Sequence, residues 1–176
     1  MTENSAILLP HVISTPVGDL CLQRVPDPEQ IVSIRFVDEP IHPLKKYLST
    51  GDALDPLYRE CQQQLEAYFA GKLRRFDFPM TQPGTDFQQR VWAELLRIPF
   101  GSTISYQALS IRLGDVKAIR AVGTANGRNN LAIVVPCHRV IGSNGSLVGY
   151  AGGLARKQWL LEHEARWAHG VQTMFD

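Results

Sequence analysis

Cysteine is scarce in this sequence and poorly placed for cross-linking: three residues among 176, an odd number, with no Cys-x-x-Cys pair. That excludes a disulfide-stapled secreted scaffold and points to a reducing compartment. Long apolar runs are missing as well. No stretch approaches the roughly 18 uninterrupted apolar residues that a spanning helix needs. The apolar run at 6–9 is too short for a secretion signal, and Glu3 precedes it where a basic segment would be needed. The expectation is a cytoplasmic protein with no membrane contact. Excess charge of either sign is absent too, since 18 Lys+Arg against 17 Asp+Glu leave a formal net charge of +1. The whole molecule therefore carries no field that would seek a polyanion. What is present is a globular composition, 44% apolar and 20% charged, which excludes disorder and fibrous repeats and fits one unit or two small lobes.

The first half reads as a small α/β lobe. Residues 11–25 form two short strands around a turn at Pro16 and Gly18, and residues 31–37 alternate as a third strand. Asp55-Pro56 is a helix cap followed by proline at the first helical position. Leu57, Tyr58, Cys61, Leu65, Tyr68 and Phe69 then recur at helical spacing until Gly71. Cys61 on that stripe and Cys21 within a strand both read as small core residues. Between Arg75 and Thr85, the segment FDFPMTQPG holds two prolines and a glycine and predicts a linker. The expected domains are 1–80, an N-terminal α/β lobe, and 86–170, a mainly helical C-terminal lobe.

The second lobe opens with a capping-box spacing at Thr85 and Gln88, and Phe87, Val91, Trp92, Leu95 and Leu96 form one stripe. Two short helices then stand close together. The first is expected over 105–113, stopped by Gly114; the second, capped by Asp115, over 116–126, stopped by Gly127. Two helices joined by a tight glycine turn form the helix-turn-helix pattern, which many helical hairpins share without touching DNA. Charge sharpens this. Residues 1–85 carry 8 basic and 11 acidic side chains, and residues 86–176 carry 10 and 6, so the near-neutral total hides an acidic and a basic half. The window 112–139 alone holds Arg112, Lys117, Arg120, Arg128 and Arg139 against Asp115. Such a patch is either a nucleic-acid footprint or a solvated face.

Residues 131–135 read as a buried strand ended by Pro136, which places Cys137 just past a strand end. The adjacent His138 and Arg139 would favour thiolate, the nucleophilic form. A Cys-His pair by itself is more often a small core residue beside a surface histidine. The surrounding motifs decide otherwise: PCHRV at 136–140, GYAGG at 149–153 and KQWLLEHE at 157–164 follow VW at 91–92, IPFG at 98–101, SY at 105–106 and RAVG at 120–123. In this order and spacing the sequence resembles the O6-alkylguanine-DNA alkyltransferases, closely over 86–164. In the first lobe it does so only in length, general pattern and the segment 65–71.

The resemblance implies an α+β fold: a small N-terminal lobe with a short antiparallel sheet and helix, then a mainly helical lobe with a winged-helix-like helix-turn-helix. It implies direct repair, in which Cys137 takes the alkyl group from O6 of guanine and is spent, with no cofactor and no obligatory protein partner. His138 would act as the base through a water, Glu164 would orient it, and Asn129 would brace the turns around the site. By the same resemblance Tyr106 would donate toward the departing base and help turn the nucleotide out. Tyr150, Ala151 and Val140 would line the base site. Arg120 would fill the vacated stack, with Lys117, Ala121, Gly123 and Arg128 along the DNA; double-stranded DNA containing O6-alkylguanine would be bound through its minor groove. The chemistry is consistent with these roles. Alkyl transfer from an aryl-ether-like oxygen calls for a soft nucleophile, a base inside a duplex must be flipped to reach it, and small helix residues suit close minor-groove approach. The same small residues also suit helix packing, and Glu164 by itself reads as an ordinary exposed acid.

Three other readings compete. An alkyltransferase-like protein that binds the lesion without transfer would lack the cysteine of PCHR. A cysteine hydrolase would need an oxyanion-hole pattern, and a regulator using the helix-turn-helix alone would leave Cys137, His138 and Glu164 unexplained. Cys21, Cys61, His11 and His42 lack the close spacing of a zinc site, so no metal is expected. Residues 165–176 extend beyond the motifs.

Overall fold

The computed structural model describes residues 10–38 and 55–169. The chain divides into two compact units, Met1–Pro83 and Gly84–Asp176. Among the described residues no helix is long and apolar enough to cross a membrane.

In the first unit, β1 (His11–Ile13), β2 (Leu20–Pro26) and β3 (Glu29–Phe36) form an antiparallel sheet in sequence order. The simple alternation expected along β3 breaks in the middle. Ile31 and Ile34, three residues apart, are both fully buried. Gln23 pairs with Ser33 but Arg24 with Ile31, so Val32 is the extra residue of a bulge that returns Ile31 to the core face. The helix α1 (Pro56–Phe69) starts where Asp55 and Pro56 require: the Asp55 carboxylate accepts from the backbone N–H of Leu57 and Tyr58. That carboxylate also pairs with the buried Arg24, whose other partner is Glu29 at 2.9 Å, which ties β2 to the start of α1.

The proline-rich segment is a linker over a shorter span than its composition suggests. Phe78 is buried, and Phe76 lies between Phe78 and Tyr68, with ring centroids 6.1 and 5.6 Å away. Backbone bonds of 2.9 Å from Ile31 to Pro79 and from Thr81 to Ile31 add residues 79–81 to the edge of β3. Aromatic burial thus overrides the turn signals up to about residue 82, and the boundary falls at Pro83 and Gly84.

The second unit begins at α2 (Asp86–Leu95), with both halves of the Thr85/Gln88 capping box formed. Gly84 is required there, because a Cβ would lie 2.6 Å from the Trp92 ring. Trp92 donates to the carbonyl of Ala125 at 3.0 Å, pinning α2 to a later helix, while Leu96 at the end of the predicted stripe is exposed. The strand β4 (Ile104–Ser105) pairs in parallel with β5 (Val140–Ile141). Ser105 then caps α3 (Tyr106–Arg112) by accepting from Ala108.

The next helix, α4 (Ile119–Gly127), starts three residues later than expected. The Asp115 carboxylate accepts from Lys117 N at 2.8 Å, and its carbonyl accepts from Ala118, so residues 115–118 close a turn of their own. No strand forms over 131–135 either. Val135 N bonds back to Leu131 O, Val134 N bonds to Ala132 O, and Ile133 has φ 71°, so this stretch is a buried compact turn. Side-chain bonds from Asn129 satisfy its backbone in place of a sheet, as described below. A single 3-10 turn (Cys137–Arg139) leads into β5, and α5 (Leu154–His169) completes the unit. Residues 170–176 lie outside the described residues.

Candidate active site

Three pieces of the second unit meet here: the 3-10 turn carrying Cys137, the end of α4, and one face of α5. The buried stripe of α5 is Lys157, Leu160, His163 and Glu164. Three of these four carry titratable groups on a face that packing alone would fill with leucine. Such a stripe marks a site, because buried charge is costly unless paired.

Glu164 is 1% exposed, the opposite of an ordinary surface acid. Its carboxylate accepts from four N–H groups. His138 Nε2 lies 2.7 Å away, Arg139 Nε and Nη2 form a fork at 2.8 and 3.0 Å, and the backbone N–H of Gly101 is at 3.1 Å. Arg139 Nη1 also donates to the Ile98 carbonyl at 2.6 Å. Burial by itself would raise the Glu164 carboxyl, but the His138 bond and the Arg139 fork outweigh it and hold the group well below the usual carboxylate range. Gly101 reaches the carboxylate with φ +77°, and a Cβ there would lie 2.3 Å from Ala168 Cβ, so no other residue fits.

His138 is completely buried. Burial lowers its pKa against the opposing pull of Glu164, so the ring is neutral near pH 7. A carboxylate can only accept, so Nε2 carries the ring proton and donates it. Nδ1 then holds the free lone pair, fixing the tautomer in which this atom is the base.

Cys137 is 6% exposed, and its Sγ accepts from Asn129 Nδ2 at 3.2 Å. The same amide donates to Val135 O at 2.8 Å, and Asn129 Oδ1 accepts from Leu131 N at 3.0 Å. Asn129 therefore holds both the compact turn and the sulfur. Burial pushes the Cys137 thiol up, opposed by the Asn129 hydrogen bond and then by the charge of Lys157. Cys137 therefore rests as the thiol. The expectation that Arg139 favours the thiolate is corrected here, because its guanidinium is committed to Glu164 and Ile98. The cation felt at Cys137 is Lys157.

Lys157 is a site residue that motif reading left without a task. Fully buried, its ammonium donates to the carbonyls of Val140 at 2.7 Å, Val148 at 2.8 Å and Gly149 at 3.3 Å. It thereby ties the GYAGG loop to the start of β5. Val140 is itself fully buried, Ala151 is exposed, and the Tyr150 ring meets His138 edge-on at 6.5 Å. Tyr106 lies half-buried at the start of α3, and its hydroxyl donates to Val148 O at 3.3 Å. The signal for Lys157 was available in the sequence, since a lysine three residues before Leu160 and seven before Glu164 sits on the face that must be buried.

Along α4 and its preceding turn, Lys117, Arg120, Ala121 and Arg128 are exposed, Gly123 is partly covered, and Ala125 is packed inside. Arg112 on α3 is exposed as well. The basic side chains of this window thus face solvent, Arg139 excepted. In the first unit, His11 stacks on Tyr58 with centroids 5.6 Å apart and bonds Gln62, while burial raises the Cys61 thiol to about 12. His42 lies outside the described residues, and among those described no group of three or more His, Cys, Asp and Glu side chains could hold a metal.

A buried cysteine beside a histidine locked to a glutamate, in a unit that also carries a helix-turn-helix, defines a cysteine-nucleophile protein of the DNA-handling class. The chain belongs to the 6-O-methylguanine DNA methyltransferase family, whose DNA binding domain matches residues 86–166 and whose ribonuclease-like domain matches residues 8–82. The likeness therefore extends through the first unit, beyond the short segment legible by eye. The chain is similar to the methylated-DNA–protein-cysteine methyltransferases of Mycobacterium bovis, at 44% identity over 94% of this chain and 98% of that one, and of Methanosarcina acetivorans, at 43% over 87% and 96%. A solved O6-methylguanine methyltransferase of Mycobacterium tuberculosis superposes with a TM-score of 0.76 and 41% identity, covering 97% of this chain and all of that one. A second solved structure, of the Mycobacterium tuberculosis OGT in complex with DNA, gives 0.75 and 43% over 90% and 93%.

Proposed function

We propose that this protein repairs DNA by transferring the alkyl group of O6-alkylguanine, irreversibly and once, to the sulfur of Cys137. The observation that carries this is the tautomer lock: Glu164, ionised and saturated, fixes the His138 proton on Nε2 and leaves Nδ1, buried with no hydrogen-bond partner among the described residues, as a base on the residue next to Cys137. His138 Nδ1 takes the Cys137 proton across one water molecule. The thiolate attacks the alkyl carbon, the C–S bond forms as the C–O6 bond breaks, and the bonding pair leaves with guanine, which takes up one proton. The net change exchanges the alkyl group for the thiol proton. A thioether is not reopened by thiols, so each molecule acts once. Charge developing on the departing base calls for donors, and the Tyr106 hydroxyl is the side-chain donor placed to turn from Val148 O to the base. Asn129 holds the sulfur and its turn, and Tyr150 and Ala151 line the base site with Val140 beneath.

The lesion reaches this site only when rotated out of the duplex. Arg120, exposed at the start of α4, enters from the minor groove and fills the gap. Ala121 and Gly123 allow close approach there, and Lys117 and Arg128 contact phosphates. A reducing compartment such as the cytoplasm is then a requirement, since an oxidised Cys137 cannot accept an alkyl group.

The test is duplex DNA carrying a labelled O6-methylguanine. Label is expected to move to the wild-type protein in one equivalent and not to Cys137→Ser. Label on that variant, or none on the wild type, sinks the reading. For Arg120→Ala, the expected result is about ten- to hundredfold slower repair in duplex DNA, the cost of an unfilled stack. Transfer from a free O6-alkylguanine base should be unchanged. Equal losses on both substrates would remove Arg120 from flipping.

A further inference from the structure

We infer that Asn126, at the end of α4, is a positioning residue that sets the polarity of the Tyr106 hydroxyl and so prepares it as the donor to the departing base. The inference rests on the alkyl-transfer reading above and deepens it. Asn126 is 3% exposed, and its Nδ2 lies 3.4 Å from both the Cys137 carbonyl oxygen and the Tyr106 hydroxyl. A carbonyl can only accept, so the Cys137 oxygen dictates which way the amide faces: nitrogen toward the site, Oδ1 away. That Oδ1 is buried with no hydrogen-bond partner among the described residues, so Nδ2 alone anchors the group.

The consequence is directional. An amide nitrogen carries two N–H groups; one goes to Cys137 O and the other to the Tyr106 oxygen. Tyr106 must then accept from Asn126 and donate elsewhere, and the acceptor in this state is Val148 O at 3.3 Å. The chain of donors runs from Asn126 through Tyr106 to Val148, and a hydroxyl that accepts one bond becomes the stronger donor of the next. Burial raises the Tyr106 phenol and Asn126 opposes that rise, in keeping with this direction. Asn126 also joins the nucleophile's own carbonyl to the last turn of the helix that carries Arg120, so one side chain registers the DNA-facing helix, the base donor and the reacting residue.

The experiment is a double-mutant cycle on alkyl transfer from O6-methylguanine duplex, with melting measured on the same proteins. Asn126→Leu, of similar volume, is expected to slow transfer about three- to tenfold, the rate equivalent of one neutral hydrogen bond. In a Tyr106→Phe background the same change is expected to cost much less, because the hydroxyl it mainly acts through is gone and only the contact to the Cys137 carbonyl is left to lose. Asn126→Asp, isosteric and without the N–H donors, is expected to be slower than Asn126→Leu, since its carboxylate captures the phenol proton; it also serves if the leucine variant folds poorly. Losses that multiply across the two positions, or a full rate in Asn126→Leu, overturn the inference. A Tyr106→Phe protein as fast as wild type overturns it through the role of Tyr106, while a wild type that accepts no label overturns the alkyl-transfer reading itself.

Discussion

Glu164→Ala is expected to destabilise the second unit by about 3–5 kcal/mol, the usual cost of removing one partner from a buried charge pair. The reasoning turns on what is left behind. Arg139 is a fixed cation, buried at 6% exposure, and its fork would face an empty pocket. His138 would lose the bond that sets its tautomer, and the Gly101 N–H would lose its acceptor. Against a total stability of about 5–15 kcal/mol, that loss removes a fifth or more of what holds a typical domain together. Glu164→Gln separates the contributions. It keeps the volume and one acceptor oxygen but turns an amide NH2 toward either Arg139 or His138, both donors. It should fold better than the alanine variant and still transfer slowly.

The same group sets the acid limit. The folded Glu164 pKa lies below its ordinary value of 4.5, so its contribution is complete above that value and is lost as pH falls through the folded one. His138 acts in the same direction: its folded pKa lies below 6.5, so the unfolded chain binds the proton first and stability begins to fall below 6.5. Wild-type melting should therefore begin to drop below pH 6.5 and drop further below pH 4.5, and Glu164→Gln should flatten the part of the fall below pH 4.5. Urea or thermal unfolding at several pH values decides it. A Glu164→Ala protein as stable as wild type would mean that the fork from Arg139 contributes nothing.

Local chemistry was legible wherever one or two adjacent residues decide a conformation. Asp55-Pro56 and Thr85 with Gln88 state where α1 and α2 start, and both caps form as written. The first helix-turn-helix segment was equally plain, since Ser105 and Gly114 bracket it. Illegible were the places where a distant side chain replaces a backbone partner. Residues 131–135 have the composition of a strand, yet Asn129 satisfies their N–H and C=O groups from two to six residues away, so no sheet is needed. Val32 looks like one more strand residue, and only its pairing with β2 shows the bulge. In the site, Cys137 and His138 stood out as neighbours, but Glu164, Arg139 and Gly101 meet across intervals of 25 and 63 residues. No spacing rule spans such gaps; the family's motif order supplied Glu164, while the tasks of Arg139, Gly101, Asn126 and Lys157 needed the fold.

Lys157→Met is expected to cost about 2–4 kcal/mol and to slow alkyl transfer about a hundredfold while leaving duplex affinity unchanged. Exchanging a buried ion pair for apolar residues is often harmless, but here only the donor is removed and its three acceptors stay. Val140 O, Val148 O and Gly149 O would lose an ammonium at 2.7, 2.8 and 3.3 Å. Each buried unsatisfied acceptor costs about 1–3 kcal/mol. Val148 and Gly149 are exposed residues whose carbonyls can recover water, so the sum falls short of three full penalties. Released from Lys157, the loop carrying Tyr150 loses its tie to β5, and the aromatic wall beside His138 loses its position. Cys137 also loses the cation that opposes its burial, so its thiol rises further and less thiolate forms. Lys117, Arg120 and Arg128, the proposed duplex contacts, are not among the groups Lys157 bonds, which are the carbonyls of Val140, Val148 and Gly149; the Tyr106 ring lies 5.8 Å from its ammonium. The decisive comparison is transfer rate against duplex Kd in the same preparation, with the Cys137 thiol titrated alongside. A parallel fall in rate and affinity would mean that the substitution had disturbed α4 and not the loop.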